Sequence, residues 1–225
     1  GKTVAVVGNG PFELNTGNGK EIDSHDIVIR FNNYPTIGYQ KDYGSKTDIW
    51  VRGGSLSVKD RPNIDQFKLV IWEPDFWHIS VQYNHLDILY RDVIKCKEKI
   101  TYLSNKPQWN IFEKTQNANP TTGFFILWLL KEIRGNFKNI DVYGMSFPYE
   151  NSSEYGHYYD QLSVMSTAHT MFAEEKYLRK GFAEKISVIR ILDSRREKFK
   201  IGKAYEHKID VINVITAPEI EMLII

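Results

Sequence analysis

Two histidines in the second half of the chain could carry out acid–base chemistry. His157 lies in the polar run Tyr-Gly-His-Tyr-Tyr-Asp at residues 155–160, and His169 lies near the start of a segment with helical periodicity. An imidazole exchanges protons near neutral pH and contributes about 100- to 10,000-fold to a rate when it acts as a general acid or base. Taken singly, each histidine is equally compatible with a surface or helix-capping position.

A glycine turn at residues 8–10 follows an apolar run and suggests a phosphate or nucleotide site. A dinucleotide site would have a third glycine where Glu13 stands, and a carboxylate at the end of the second strand, where the sequence reads Arg-Phe-Asn. Asn9 and Asn32 suit the base and ribose of a mononucleotide better. A turn without any ligand is the remaining alternative.

A second phosphate-compatible feature is the sequence Pro-Thr-Thr-Gly at residues 120–123, which leads into an apolar helical pattern. Two hydroxyl groups and a glycine at a helix N-terminus offer free N–H groups and the positive end of the helix dipole to an anion. Thr121 or Thr122 could equally be a simple N-cap.

The sequence predicts no metal site. The six histidines do not fall at metal-ligand spacing, and no Asp-x-Asp motif is present. A nucleoside monophosphate leaving group can be stabilised by protein donors, whereas a diphosphate often needs a cation. Cys96 is the only cysteine, so no intrachain disulfide can form, which favours a reducing, cytoplasmic setting.

These residues would be positioned by an α/β fold. Short apolar runs predict strands, and the spacing of Phe124, Leu127, Leu130 and Ile133 predicts a helix that ends before Gly135. Alternating strands and helices indicate a mostly parallel sheet covered on both faces, with ligands at the carboxyl ends of the strands. Strands are predicted at 3–7, 26–31, 47–51, 67–72, 99–103, 139–143, 186–191 and 209–215, and further helices at 90–96 and 166–181.

Bulk properties predict one domain over residues 1–225, with 42% hydrophobic and 25% charged residues. A net charge of +1 argues against a nucleic-acid partner. The most apolar run, 124–130, is far shorter than the roughly 20 residues needed to span a bilayer. The basic run 195–203 is a solvated loop or, alternatively, a peripheral contact with anionic lipid. Without an initiator methionine, we expect the chain to be excised from a longer protein.

Four motifs, in order, resemble those of the animal-type sialyltransferase family. Residues 4–52 resemble the large motif, with VAVVGNG, EIDSHDIVIRFN and GYQKDYGSKTD. NPTTGFFILWLL followed by IDVYGM resembles the small motif. His157 to Asp160 resembles the third motif, and His169 to Glu174 the very small one.

The resemblance implies a Rossmann-like variant of the GT-A glycosyltransferase fold and an inverting, metal-independent enzyme. Its donor would be CMP-sialic acid, its acceptor a hydroxyl of an oligosaccharide or glycolipid, and it would need no cofactor. By the same resemblance, His169 is the catalytic base, His157 contacts the departing phosphate, and Glu174 is structural. The donor-binding residues implied are Asn9, Gly10, Asn32, Thr121, Thr122 and Gly123.

One departure from the family concerns the cysteines. Animal members join the large and small motifs by a disulfide, but Val4 stands at the first cysteine position and the small motif has none. This favours a bacterial-like enzyme in the cytoplasm, at the membrane face, over a Golgi-lumen enzyme that has lost an N-terminal anchor. Two functional alternatives stay open: a transferase that uses CMP-Kdo or another CMP-nonulosonate, and an inactive module that binds CMP or glycan.

Overall fold

The core of the molecule is a six-stranded parallel sheet. The computed structural model describes residues 1–53, 57–59, 61–73, 100–102, 111, 120–145, 156–160, 174 and 177–178. Within these ranges the strand order is β5-β4-β3-β2-β1-β6, and every neighbouring pair is parallel. The strands are β1 (Val4–Val7), β2 (Ile27–Phe31), β3 (Ile49–Gly53), β4 (Leu69–Glu73), β5 (Ile100–Tyr102) and β6 (Ile140–Tyr143).

The order of the strands reverses at β1. The chain adds β2 to β5 on one side of β1 and then returns to place β6 on the other side. In open parallel sheets, such a reversal opens a crevice at the carboxyl ends of the strands, where ligands bind. The glycine turn at residues 8–10 leaves β1 at this crevice.

Three helices accompany the strands in the described residues: α1 (Gly19–Ser24), α2 (Gln40–Tyr43) and α3 (Thr122–Arg134). α3 ends at Gly135, whose φ of 75° is the left-handed conformation that favours glycine after a helix. Short 3₁₀ turns occupy Pro11–Glu13 and Ile64–Gln66. Among the described residues, no helix combines the length and the apolar character that crossing a membrane requires.

Both faces of the sheet are covered, as the apolar strands predicted. On one face, alternate residues of the strands pack with α3, and Phe124 to Leu130 are all buried. The helix is therefore enclosed on several sides, beyond the positions 124, 127, 130 and 133 whose spacing predicts it. Tyr177 covers part of it, with its ring 5.5 Å from that of Phe124. On the other face, Ala5, Val7 and Val28 pack against Tyr43 and Tyr158.

The six predicted strands between residues 3 and 143 and the helix from Thr122 are confirmed, with shifts of one or two residues at their ends. Trp72, in β4, is a buried core residue. Several predictions lie outside the described residues. They are the strands 186–191 and 209–215, the helix 90–96, most of the helix 166–181, the basic run 195–203, Cys96 and His169.

Candidate functional site

The glycine turn after β1 is tied to the end of β6 and to α2. Gly10 donates its N–H to the Gly144 carbonyl at 2.7 Å, and the Tyr43 hydroxyl donates to the Gly10 carbonyl at 2.6 Å. The chain then enters the 3₁₀ turn Pro11–Glu13. Because no long helix starts here, the turn lacks the helix N-terminus that binds pyrophosphate in dinucleotide sites.

Glu13 stabilises this turn through hydrogen bonds to its carboxylate. Its buried carboxylate accepts hydrogen bonds from the Gly144 N–H at 3.2 Å and from Asn18 Nδ2 at 2.7 Å. The sequence showed Glu13 only as the residue that stands in place of a third glycine. Its carboxylate fixes the ends of β1 and β6 relative to each other.

Asn9 presents a hydrogen-bond acceptor to the site. Its Nδ2 donates to the Phe31 carbonyl at 3.1 Å, which sets the orientation of the amide. The Oδ1 atom is buried and has no hydrogen-bond partner in the described part of the chain. An unpaired buried carbonyl oxygen costs about 1–3 kcal/mol, so this atom favours a ligand that brings an N–H or O–H group.

Asn32 has the opposite polarity. Its φ of 52° places it in the left-handed region, which asparagine tolerates better than most residues. Its Oδ1 accepts the Gly53 N–H at 2.8 Å, and no described residue hydrogen-bonds to its Nδ2. Asn32 therefore offers N–H donors to a ligand, while Asn9 offers an acceptor.

Gly53, at the end of β3, brings Asn32 and α3 together. A Cβ atom placed on Gly53 would lie 3.1 Å from Asn32 Oδ1 and 3.2 Å from Thr122 Oγ1. Both contacts are tighter than most real Cβ contacts. The close approach of these two side chains thus depends on a residue without a side chain.

The N-terminus of α3 is divided between a structural cap and free donors. Thr121 is the N-cap and accepts the Phe124 N–H at 3.2 Å. Its own N–H and hydroxyl donate to the fully buried Glu174 carboxylate at 2.6 and 2.8 Å. The predicted structural role of Glu174 agrees with these contacts. The hydroxyl of Thr122 and the N–H groups of Thr122 and Gly123 have no partner among the described residues.

Met145 packs between the glycine turn and α3. A Cβ atom on Gly8 would lie 2.5 Å from its Cγ, and one on Gly123 would lie 2.8 Å from its Cε. Glycine at both positions therefore lets the end of β6 lie directly against the start of α3. This contact places the free N–H groups of α3 beside the crevice at β1.

His157 reaches the site through a short turn at residues 156–160. Residues 157 and 160 pair through two 3.0 Å backbone hydrogen bonds, and the Tyr158 N–H donates to the Asn9 carbonyl at 2.8 Å. Tyr158 stacks on Tyr43, with centroids 3.9 Å apart, and its hydroxyl donates to the carbonyl of residue 35. The third motif is thus attached to Asn9.

The ring of His157 stacks on that of Tyr159, with centroids 5.0 Å apart and an angle of 17° between them. The residue is exposed to solvent, but partial burial of its ring lowers its pKa from the ordinary value, and nearby Asp160 opposes that shift. The lowered pKa favours a neutral imidazole in the ligand-free protein at neutral pH.

The structure brings together Asn9, Asn32, Thr122, Gly123 and the turn that carries His157. Both backbone polar groups of Gly10 and both donors of Thr121 are engaged within the protein. Sequence reasoning missed Gly53 and Tyr158. Gly53 ends β3, but the sequence does not show that it lies against Asn32 and Thr122. The described residues contain no group of three or more His, Cys, Asp or Glu side chains arranged to hold a metal ion.

Comparison with known proteins identifies similar sequences. A family model described as glycosyltransferase family 29 (sialyltransferase) matches residues 2–102. Beta-galactoside alpha-2,6-sialyltransferase 2 of Danio rerio is 26% identical over 205 residues, which is 80% of this chain and 39% of that protein. The Homo sapiens protein of the same name is 28% identical over 204 residues, 77% of this chain and 37% of that protein. The chain spans less than half the length of these curated relatives.

A solved structure shares the fold. The crystal structure of a mammalian sialyltransferase in complex with Gal-beta-1-3GalNAc-ortho-nitrophenol matches with a TM-score of 0.55 and 23% identity. The match covers 85% of this chain and 69% of that one. It confirms the α/β fold that the motifs implied.

Proposed function

We propose that the chain transfers sialic acid from CMP-sialic acid to a hydroxyl group of a glycan, because its sequence is similar to those of the animal-type sialyltransferases. The names of the relatives describe beta-galactosides as their acceptors, and the similar crystal structure contains a galactose-terminated disaccharide. A galactoside is therefore the first acceptor to test for this chain.

The observation that carries the proposal is the opposite polarity of Asn9 and Asn32 in one crevice. CMP has hydrogen-bond donors in its ribose hydroxyls and its cytosine amine, and acceptors in its phosphate and base. The buried Oδ1 of Asn9 can take one donor, and Nδ2 of Asn32 can serve one acceptor. A ligand with both kinds of group close together satisfies the crevice, as a nucleoside monophosphate does.

The phosphate fits the start of α3. The hydroxyl of Thr122 and the N–H groups of Thr122 and Gly123 have no partner in the described part of the chain, and the positive end of a 13-residue helix dipole adds to them. Thr121 is excluded from this role because Glu174 engages both of its donors. Fixed donors of this kind can stabilise the charge on a departing monophosphate without a metal ion.

His157 and His169 complete the proposed reaction. The bond from the anomeric carbon to the phosphate oxygen breaks while the acceptor oxygen attacks from the opposite face, which inverts the configuration. His169 takes the proton of the acceptor hydroxyl, a role proposed from the resemblance alone. His157 donates a hydrogen bond to the departing phosphate, and its attachment to Asn9 through Tyr158 supports this position.

A transfer assay tests the proposal. The protein is incubated with CMP-sialic acid and N-acetyllactosamine in EDTA, and free CMP and sialylated product are measured by mass spectrometry. We expect product at the same rate with EDTA as with added Mg²⁺, and no product from His169→Ala, which should still bind CMP. A preference for CMP-Kdo in donor competition would change the sugar. Failure to bind CMP and to form product would refute the proposal.

A further inference from the structure

The backbone of Asn32 is held by two side chains that come from other segments. Its carbonyl accepts hydrogen bonds from Trp50 Nε1 at 3.0 Å and from Arg61 Nη2 at 3.4 Å. Trp50 is buried in β3, and Arg61 comes from the loop that follows that strand. Since Asn32 has a positive φ, its backbone conformation is one that few residues adopt unless neighbours hold it.

Arg61 is itself fixed in place. Its guanidinium lies over the ring of Tyr34, 3.8 Å from the centroid, and 5.6 Å from the centroid of Trp50. Its Nη2 also donates to the Tyr34 carbonyl. Partial burial lowers the pKa of Arg61, but an arginine stays charged at any physiological pH. The Arg61 side chain is therefore a rigid cation that is hydrogen-bonded to the turn at residues 32–34.

Two contacts then define the direction of the free Asn32 amide. The Gly53 N–H fixes Oδ1, and Arg61 together with Trp50 fixes the carbonyl of the same residue. With both ends of Asn32 held, Nδ2 has little freedom to turn away from the crevice. A donor already oriented before binding loses less entropy when the ligand arrives.

We infer that Arg61 is a positioning residue that holds Asn32 ready to bind the CMP donor. This inference rests on the proposed function. Arg61 acts through Asn32, because its Nη2 is shared between the backbone carbonyls of Asn32 and Tyr34. Its distance in sequence from Asn32 and its position outside the predicted motifs explain why the sequence did not reveal it.

The test compares Arg61→Gln with Lys59→Ala, which removes an exposed charge from the same loop. CMP affinity is measured by calorimetry, and exchange of the Gly53 amide hydrogen by NMR. We expect Arg61→Gln to weaken CMP binding about five- to tenfold, as one lost hydrogen bond would, and to speed Gly53 exchange by a similar factor. The donor KM should rise with little change in kcat, and Lys59→Ala should match the wild type.

A double variant separates positioning from direct contact. If Arg61 acts through Asn32, adding Arg61→Gln to Asn32→Ala should cost no further CMP affinity. Additive losses, or an Arg61→Gln protein that behaves like Lys59→Ala, would overturn the inference. If the wild type fails to bind CMP, the proposed function is refuted, and the exchange rate of the Gly53 amide becomes the test of the positioning role. An unchanged exchange rate in Arg61→Gln would then show that Arg61 does not hold Asn32 in place.

Discussion

The part of the site that is proposed to bind the CMP donor, called the donor side below, differs in construction from the turn that carries His157. Asn9 and Asn32 stand at the ends of buried neighbouring strands, and Thr121, the N-cap of α3, is held by the buried Glu174. The turn at residues 156–160 is exposed at His157 and reaches the sheet through Tyr158. The affinity for the nucleotide should therefore depend on the sheet. The rate at which the leaving group departs should depend on the turn at residues 156–160, called the tether below, which can be altered without changing the sheet.

The contrast is chemically useful. Under the proposed function, a rigid set of donors and acceptors would bind the nucleotide with little loss of entropy, whereas a group that assists departure would have to adjust as charge moves onto the phosphate. Stacking of Tyr158 on Tyr43 gives the tether a firm base inside the core. Variants on the two sides should accordingly separate affinity from turnover.

The largest effect is expected on the donor side from Gly53→Ala. The added methyl group would press on Asn32 Oδ1 and Thr122 Oγ1, so both atoms must shift by a few tenths of an ångström. We expect CMP affinity to fall about tenfold, as the loss of one hydrogen bond to the ligand would cause. The free energy of unfolding should fall by about 1–2 kcal/mol, because overpacking costs about 1–3 kcal/mol and the restriction of the unfolded chain by alanine offsets part of that cost. Calorimetry with CMP and urea unfolding measure the two quantities, and an unchanged CMP affinity would contradict the geometry.

A smaller effect is expected on the tether from Tyr158→Phe. This change removes the hydroxyl that donates to Pro35 and keeps the stack on Tyr43. We expect turnover to fall about fivefold, in line with the roughly 1 kcal/mol that one hydrogen bond contributes, with CMP affinity within a factor of about two.

Tyr159→Phe is the matched control for that change. Its hydroxyl has no partner in the described residues, and its ring would still stack on His157. Steady-state kinetics and CMP titration of the two variants test the contrast. A loss of CMP affinity in Tyr158→Phe as large as its loss of turnover would show that the two regions are not separable.

The smallest effect concerns the pH dependence of stability. His157 has a lowered pKa in the folded protein, so below about pH 6.5 the unfolded chain binds more protons than the folded one. His157 therefore reduces stability as the pH falls through this window, and the reduction is complete below its folded pKa. We expect the melting temperature of His157→Gln to change slightly less with pH between about pH 5 and 7 than that of the wild type, as measured by calorimetry at several pH values. A steeper curve than that of the wild type would contradict the sign of the shift.

The sequence predicted those parts of the molecule that leave a pattern of residue types. Runs of β-branched residues predicted β1 and β2, and the proline, threonines and glycine around α3 predicted its start and its end. The short helices α1 and α2 were missed because one turn of helix is too brief to show a period. The polarity of Asn9 and Asn32 depends on which neighbour holds each amide.

Other features depend on contacts between distant segments. Gly53 is important because it has no side chain between Asn32 and Thr122. In the sequence, a single glycine at a strand end resembles any other glycine. The link from Tyr158 to Asn9 joins residues about 150 positions apart and follows from packing on Tyr43. Pattern alone cannot reveal either.

The strand ends and the start of α3 are proposed to form a preorganised CMP site that needs no metal ion. Calorimetric titration of CMP in EDTA, with the wild type, Asn32→Ala and Asn33→Ala, tests this proposal. Both amide atoms of Asn33 hydrogen-bond to residues 57 and 59, so this side chain is held on that segment and serves as the control. We expect the wild type and Asn33→Ala to bind CMP with equal affinity, and Asn32→Ala to bind it about tenfold more weakly. Equal affinity in all three proteins, or binding by the wild type only when Mg²⁺ replaces EDTA, would contradict it.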